Sequence, residues 1–263
     1  MAEAELDKQQ IRRSFANAAQ SYDAMATLQR QVGHELLTKL SLPYDALVVD
    51  AGCGTGFFTQ QLQSRALLKN IIALDIALPM LHKTHDRLNE KVPLLCADVE
   101  QLPIASDSID SLVSNLALQW CQGLGELFID VQRVLRDNGQ FSFSIFGESA
   151  LCELKSAWAE VDDYPHVNDF CSLQEIKQLM QQAGFVDVQL ESQIYQIKYT
   201  DVIELMRELK GIGAHNVSKA RNKQLTTKGH FQALLAAYPV DDDGKITASY
   251  EIIYVQAKSA MKR

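Results

Sequence analysis

The sequence has no apolar run long enough to span a membrane, because polar residues interrupt every hydrophobic stretch well short of the ~20 residues required. It also lacks the positively charged start of a secretory signal, since its first residues read Met-Ala-Glu-Ala-Glu-Leu-Asp. Its five cysteines are odd in number and scattered, and none forms a Cys-x-x-Cys pair. Neither a disulfide framework nor a zinc site is therefore indicated. We expect a reduced, cytoplasmic protein without a metal site.

An excess of positive charge is also missing from the chain as a whole, which carries 25 basic and 33 acidic residues and a net charge of −8. This balance argues against a general nucleic-acid or membrane binder. One segment, residues 207–228, departs from it. Its basic residues are Arg207, Lys210, Lys219, Arg221, Lys223 and Lys228, and with the single acid Glu208 they give a net charge of +5. The segment is either a solvated loop or a docking surface for an acidic partner.

The chain is organised around residues 47–56, which read Leu-Val-Val-Asp-Ala-Gly-Cys-Gly-Thr-Gly. The apolar run that ends at Asp50 predicts a buried strand, and Gly52, Gly54 and Gly56 predict the turn into a helix. Glycines let a ligand approach the backbone closely, as nucleotides do at the carboxyl edge of a parallel sheet. The Gly-x-Gly-x-Gly spacing is not that of dinucleotide sites, and Asp50 suits the cationic amino-acid end of S-adenosylmethionine. A dinucleotide site and an ordinary tight turn are the alternatives.

Acidic residues follow the next two predicted strands. Asp75 ends the strand at 71–75 and either accepts hydrogen bonds from both ribose hydroxyls or caps the following helix. Asp98 follows the third strand and either accepts from an adenine amino group or is a solvated loop residue. Trp120 follows the fourth strand, 109–114, and is either core or a pocket wall. Helical segments between the strands predict an α/β fold with a doubly wound, mostly parallel sheet.

The segments on either side of this core predict its supports. Apolar steps of three and four over residues 11–40 predict two helices, which either pack as support or form a lid that carries Tyr22 to the site. Asn138-Gly139 predicts a left-handed cap at the end of the helix 124–135. The stretch 186–199 predicts one or two antiparallel strands. Residues 241–244 predict a hairpin turn before a last strand.

The core from Leu47 to Phe146 resembles the class I S-adenosylmethionine-dependent methyltransferases. Further stretches narrow the resemblance, namely residues 15–23 with 28–30, 115–121, 165–170 and, most specifically, the Met-Arg-Glu-Leu-Lys-Gly-Ile-Gly-Ala of 206–214. Over nearly its whole length the chain resembles the malonyl-[acyl-carrier protein] O-methyltransferases of biotin synthesis. The resemblance implies a single Rossmann-like domain, 1–263, of seven strands with an antiparallel last strand. Its parts would be lid helices at 1–42, a cofactor-binding core at 43–147 and acceptor-side helices, a basic loop and the last strands at 148–263.

The activity that the resemblance implies is transfer of a methyl group from S-adenosylmethionine to the free carboxylate of malonyl-acyl-carrier protein, which leaves a methyl ester and S-adenosylhomocysteine. The ester would start pimeloyl-chain assembly for biotin. A carboxyl group has an ordinary pKa near ~4, so the nucleophile is already ionised and no general base is expected. The alternative is a small-molecule or quinone methyltransferase of the same fold. A non-catalytic relic is disfavoured, because Asp50, the three glycines, Asp75 and Asp98 are all present.

The site residues follow from the same resemblance and pattern. For the cofactor we expect Tyr22, Asp50, Gly52, Gly54, Gly56, Asp75, Ile76, Met80, Asp98, Val99, Asn115 and Leu116. For the acceptor we expect Arg207, because a guanidinium fork fits a carboxylate, with Tyr22, His166, Lys210, Gln119 and Trp120 beside it. The carrier protein is expected to dock on the basic segment 207–228. No nucleic acid, membrane or metal is expected as a partner.

Overall fold

The structure is a computed structural model, and it describes residues 6–43, 45–64, 68, 70–88, 92–214 and 227–261. In this part of the chain seven strands form one sheet in the order β3-β2-β1-β4-β5-β7-β6. The strands are β1 (Leu47–Ala51), β2 (Asn70–Asp75), β3 (Leu94–Cys96), β4 (Ile109–Asn115), β5 (Leu135–Phe146), β6 (Phe185–Tyr199) and β7 (Ile246–Ser259). The first five run parallel, whereas β7 lies antiparallel between β5 and β6. The predicted α/β sheet with its antiparallel last strand is confirmed.

Ten α-helices accompany the sheet in the described residues. They are α1 (Lys8–Ala18), α2 (Tyr22–Met25), α3 (Thr27–Lys39), α4 (Phe57–Ser64), α5 (Leu78–Leu88), α6 (Leu124–Val134), α7 (Cys152–Ala159), α8 (Leu173–Gln182), α9 (Val202–Gly211) and α10 (Lys228–Ala237). A 3₁₀ turn, Leu118–Trp120, follows β4. Successive residues of a strand face opposite sides of a sheet. Val48 and Val49 of β1 accordingly belong to two separate apolar cores, so the sheet is covered on both faces, as parallel sheets are.

The amino-terminal region forms three helices, so the prediction of two was wrong. Helix α1 ends at Ala18, and the hydroxyl of Ser21 in the following turn donates to the carbonyl oxygens of Ala18 and Gly211 at 3.2 and 2.8 Å. A second break falls at Ala26, whose ψ of 43° is not helical. Apolar spacing did not show these breaks, because α1 and α3 both bury apolar residues and the short helix α2 between them buries none.

The predicted cap at Asn138-Gly139 was wrong. Helix α6 ends at Val134, and Leu135 is already extended, with φ −70° and ψ 139°. Asn138 does adopt a positive φ of 58°, but it lies within β5, where the pairing with β4 shifts register after the Ile109–Leu135 pair. The left-handed conformation that asparagine tolerates therefore forms an irregularity of the strand and not a helix end.

Two carboxyl-terminal predictions remain, the antiparallel stretch 186–199 and the hairpin turn 241–244. The stretch 186–199 is one strand, β6, paired antiparallel with β7 along its length. Residues 241–244 do form a tight turn, in which the N–H of Gly244 donates to the carbonyl oxygen of Asp241 at 2.9 Å. That turn joins α10 to β7, so it is not a hairpin.

Lys219, Arg221 and Lys223 of the basic segment lie outside the described residues. No helix within the described ranges is long and apolar enough to cross a membrane.

Candidate active site

A cavity lies at the carboxyl ends of β1, β2 and β4, beneath helix α1. Most of the residues expected to contact a cofactor line it, namely Tyr22, Gly52, Gly54, Asp75, Ile76, Met80, Asp98, Val99, Asn115 and Leu116. Asp50 and Gly56 do not line it. Sequence reasoning missed three lining residues from α1, which are Lys8, Ile11 and Phe15. The carboxyl edge of a parallel sheet is the usual place for a nucleotide-like ligand.

The three glycines of the turn after β1 have different roles. All have positive φ, at 79° for Gly52, 56° for Gly54 and 80° for Gly56. A Cβ on Gly52 would lie 2.3 Å from the Cβ of Ala117, and one on Gly56 would lie 2.8 Å from Cγ2 of Thr84. A Cβ on Gly54 would meet nothing within 4 Å. Gly54 therefore leaves the backbone open toward the cavity, whereas Gly52 and Gly56 let other parts of the chain pack closely.

Asp75 accepts two backbone N–H groups, one of them at the start of α5, while its role toward ribose hydroxyls stays a prediction. Its Oδ2 accepts the N–H of Gly54 at 2.9 Å, and its Oδ1 accepts the N–H of Ala77 at 2.8 Å, at the start of α5. Burial raises its pKa to about 6, although backbone hydrogen bonds from Ala77, Gly54 and Ile76 oppose that shift. A carboxylate offers about four acceptor positions. Asp75 thus fixes the turn and keeps acceptor positions for a ligand's hydroxyls.

Asp50 is buried behind the cavity, with 1% of its surface exposed. Its Oδ2 accepts the hydroxyl of Thr59 at 2.5 Å, and no described group donates to its Oδ1. Burial raises its pKa to about 7; the Thr59 hydrogen bond opposes this, and the charge of Asp75 adds to it. An uncompensated buried carboxylate is unfavourable, so a cation nearby would stabilise the site. The negative charge of Asp50 suits a ligand with an ammonium group. Asp50 does not line the cavity, so it would act on that group from behind the wall.

Lys8 holds helix α1 against the far end of the cavity. Its Nζ lies 2.6 Å from Oδ2 of Asp98 and 2.6 Å from Oε2 of Glu100. Oδ1 of Asp98 accepts the N–H of Glu100 at 3.0 Å. Burial lowers the pKa of Lys8, but the two carboxylates outweigh this and raise it overall. Asp98 therefore lies in the cavity wall as expected, with a lysine partner that the sequence did not indicate.

Asn115 and Leu116 form the wall at the end of β4. The Asn115 Nδ2 donates to the carbonyl oxygen of Gln29 at 2.9 Å, and its Oδ1 accepts the hydroxyl of Ser144 at 2.9 Å. Leu116 has a φ of +49°, a left-handed conformation that is rare for a leucine. Such strain concentrates at functional sites.

Tyr22 also lines this cavity. Burial and the charge of Asp75 raise the pKa of Tyr22 above its usual range, so its phenol stays protonated.

A second cavity adjoins the first, and Trp120 lines both. Apolar side chains dominate its wall: Leu28, Phe146, Leu151, Leu154, Trp158, Val167, Phe170, Met206, Leu209, Ile212 and Ala214. The polar ones are Gln29, His166, Asn168, Glu208, Lys210 and Tyr250. An apolar cavity with a few polar groups is typical of a binding site for an organic substrate.

His166 is held rigidly in the wall of this second cavity. Its ring stacks on Trp158, with 3.6 Å between centroids and 7° between planes, and its Nε2 lies 2.8 Å from Oδ1 of Asp162. Oδ2 of Asp162 is buried and has no partner among the described residues. Burial would raise the pKa of Asp162, but hydrogen bonds from His166 and the N–H of Tyr164 hold it below its usual range. An ionised Asp162 therefore supports the imidazole.

The structure brings together only some of the expected acceptor residues. His166, Lys210 and Trp120 line the second cavity and Tyr22 the first. Gln119 is buried and donates to the carbonyl oxygen of Leu116 at 2.7 Å, and it lines neither cavity.

Arg207 lies on the exposed face of α9, away from the cavity. Met206, Glu208, Leu209 and Lys210 of the same helix line the cavity, whereas Arg207 does not. Its assignment to the carboxylate stays a prediction. Sequence reasoning missed Glu208, which lines the cavity and accepts the hydroxyl of Tyr199 at 2.9 Å. No group of three or more His, Cys, Asp or Glu side chains in the described ranges is placed to hold a metal ion.

Comparison with known proteins bears on the family and the fold of this chain. Residues 49–143 match the family described as "Methyltransferase domain". A malonyl-[acyl-carrier protein] O-methyltransferase of Methylovorus sp. strain MP688 is 39% identical, over 96% of this chain and 89% of that protein. The YcgJ protein of Bacillus subtilis shares the fold, with a TM-score of 0.64 at 15% identity over 88% of this chain and 99% of its own. Phosphoethanolamine N-methyltransferase 2 of Haemonchus contortus, solved with S-adenosyl-L-methionine, has a TM-score of 0.58 at 14% identity, over 94% of this chain and 57% of its own.

Proposed function

Because this chain belongs to the family of malonyl-[acyl-carrier protein] O-methyltransferases, we propose that it methylates the free carboxylate of malonyl-acyl-carrier protein, using S-adenosylmethionine. The product would enter pimeloyl-chain assembly for biotin. The observation that carries the proposal is the pair of adjoining cavities with Trp120 in both walls. A methyl donor in the first and an acyl chain in the second would meet at this residue. The cytoplasm stays the expected location, on the sequence grounds given above.

The first cavity is proposed as the cofactor site. Asp75 has acceptor positions left for two ribose hydroxyls, and Gly54 leaves the turn open toward the ligand. Asp98 lines the cavity and is our candidate acceptor for the adenine amino group, and the unpartnered Oδ1 of Asp50 favours a cation nearby. When bound, S-adenosylmethionine supplies a methyl group activated by its sulfonium. The residues of the cavity therefore need only to bind, orient and exclude water.

The second cavity is proposed as the acceptor site. A malonyl carboxylate is ionised at neutral pH, so the protein has no proton to remove. The apolar walls of the second cavity would exclude water from the carboxylate, and a cation would hold the carboxylate in line with the methyl group. Lys210 and His166 line the cavity and are our candidates for that contact. Arg207 is the rival, favoured by the fork geometry of its guanidinium and not by its position.

The test of this function is a substrate comparison with the purified protein. Labelled S-adenosylmethionine is supplied with malonyl-acyl-carrier protein, free malonate or a quinol, and methylated products are separated. We expect a base-labile methyl ester on malonyl-acyl-carrier protein and little product from the other two. Methylation of the quinol in preference to the thioester would instead support the small-molecule alternative. Binding of S-adenosylhomocysteine without methylation of any acceptor would contradict the proposed reaction.

A further inference from the structure

Asp23, the residue after Tyr22 in the short helix α2, joins three separate parts of the chain. The hydroxyl of Thr55 in the glycine turn donates to its Oδ1 at 2.6 Å, and Nη2 of Arg87 on α5 donates to its Oδ2 at 2.6 Å. Nη1 of Arg87 lies 3.2 Å from the hydroxyl of Thr55 and closes the triangle. We propose that Asp23 is a positioning residue, a latch that holds Tyr22 over the first cavity. The inference rests on the proposed function for the identity of the ligand beneath that latch.

Helix α2 cannot hold this position by itself. It has only four residues, Tyr22–Met25, none of which is fully buried, and Ser21 makes no side-chain cap at its start. An isolated turn of helix is unstable, because few hydrogen bonds offset the ordering of its backbone. Its place must therefore be set by contacts with rigid neighbours, and Asp23 supplies charged ones.

Both anchors of the latch are rigid. Thr55 lies between Gly54 and Gly56 and is 2% exposed. Arg87 follows Thr84 by one helical turn of α5, and Thr84 itself donates to the carbonyl oxygen of Gly54 at 2.8 Å. The glycine turn and α5 therefore form one body, to which Asp23 attaches the lid. A ligand beneath Tyr22 would be enclosed only while this attachment holds.

The other side of the same lid touches the acceptor region. The hydroxyl of Ser21 donates to the carbonyl oxygen of Gly211, at the end of α9. A Cβ on Gly211 would come within 2.7 Å of the Met25 side chain. Lys210, one residue before Gly211 in helix α9, lines the second cavity. Release of the latch would therefore loosen both cavities, and a variant should affect binding of cofactor and acceptor together.

The experiment compares Asp23→Asn, Arg87→Gln and the double variant with the wild-type protein. Calorimetry with S-adenosylhomocysteine gives the Kd, and hydrogen exchange of residues 21–26 in the ligand-free protein reports the lid directly. We expect each single change to raise the Kd by about threefold to tenfold, as a partly exposed charged network allows. The double variant should raise the Kd no more than the more severe single variant does, because the contact between Asp23 and Arg87 is lost in all three variants. Exchange of the lid should quicken in all three.

The control is Asp86→Asn, which removes an exposed carboxylate next to Arg87. It should leave the Kd and the exchange unchanged. In steady-state assays the latch variants should raise KM for both substrates while kcat changes little, a pattern that a general loss of stability would not give. Unchanged exchange and Kd in Asp23→Asn, or additive losses in the double variant, would overturn the latch. A wild-type protein that binds no S-adenosylhomocysteine would contradict the proposed cofactor, while the exchange data would still decide the latch.

Discussion

Two buried carboxyl groups near the proposed cofactor site, Asp50 and Asp75, carry charge that the fold does not fully compensate. Burial raises the pKa of Asp50 to about 7 and that of Asp75 to about 6. Both folded values lie above the ordinary value near ~4, so between those limits the folded state holds protons that the unfolded chain has released. Stability from this source is complete below pH ~4 and is lost as the pH rises through the folded pKa. The ligand-free protein is therefore destabilised near neutral pH by two buried carboxyl groups, one in the wall of the first cavity and one behind it.

Asp50→Asn should remove the larger part of that pH dependence. In the wild-type protein the free energy of unfolding should fall by up to about 1.4 kcal/mol per pH unit from pH 5 to pH 7 because of Asp50. Urea titrations of both proteins at pH 5, 6, 7 and 8 measure the slope. The variant should show a shallower slope, whatever its stability at pH 5. Asp86→Asn, at an exposed position, should keep the wild-type slope. Equal slopes in Asp50→Asn and the wild type would contradict the raised pKa.

Residues that follow a strand in a regular pattern could be predicted, whereas those that act through distant contacts could not. Gly54, Asp75 and Asp98 are found from the sequence because each follows a buried strand whose carboxyl end must reach the same edge of the sheet. Lys8 reaches Asp98 across 90 positions. Asp23 reaches Arg87 across 64. A lysine or aspartate in a polar helix has no local feature that indicates such a partner.

At the scale of elements, helix α9 shows that neighbouring cationic residues of one short stretch can lie in different places. The stretch 206–214 carries two of them, and Lys210 lines the second cavity, whereas Arg207 is exposed and does not line it. Element types were well predicted throughout because apolar periodicity reports burial. The ends of the elements were predicted less well. Helix α6 ends at Val134 because the chain enters β5 there. Strand pairing with β4, which no local pattern reveals, sets that boundary.

Substitutions at Lys210 and Arg207 should therefore differ. Lys210→Ala should raise KM for malonyl-acyl-carrier protein by about tenfold, since a hydrogen bond to a charged group is worth roughly 1.5–3 kcal/mol. Arg207→Ala, the matched change at a position that does not line the cavity, should leave KM for a small malonyl thioester close to wild type. Both should keep the wild-type Kd for S-adenosylhomocysteine. A large rise of KM in Arg207→Ala, with the KM of Lys210→Ala unchanged, would instead show that α9 rotates when the substrate binds and that the guanidinium holds the carboxylate.

At the scale of the whole molecule, charge sets how an acidic carrier protein can be recognised. The chain carries −8 overall, while its segment 207–228 is positive. Net charge cannot attract an acidic partner, so docking must use a local surface. Ala214, the last described residue before 215–226, lines the second cavity. A carrier protein bound to this segment would thus have its prosthetic arm close to the proposed acceptor site.

Reversal of Lys219, Arg221 and Lys223 to glutamate together should raise KM for the carrier-bound substrate. Surface charge acts mainly on encounter and is screened by salt, so the wild-type KM should rise with ionic strength and the triple variant should lose that response. A small malonyl thioester should be methylated normally. Arg12→Glu with Arg13→Glu, on α1, is the matched control. If the control raised KM and the triple variant did not, docking would lie on the amino-terminal helices.

The placement of the two tryptophans has an optical consequence. Trp120 forms part of both cavity walls, and Trp158 stacks on His166 in the second. The chain has no other tryptophan, so all of its indole emission arises at the two proposed sites. In Trp158→Phe protein we expect S-adenosylhomocysteine to change the fluorescence of Trp120. In Trp120→Phe protein a malonyl thioester should change that of Trp158, and stopped-flow traces of the two variants would then time the filling of each cavity without any added dye.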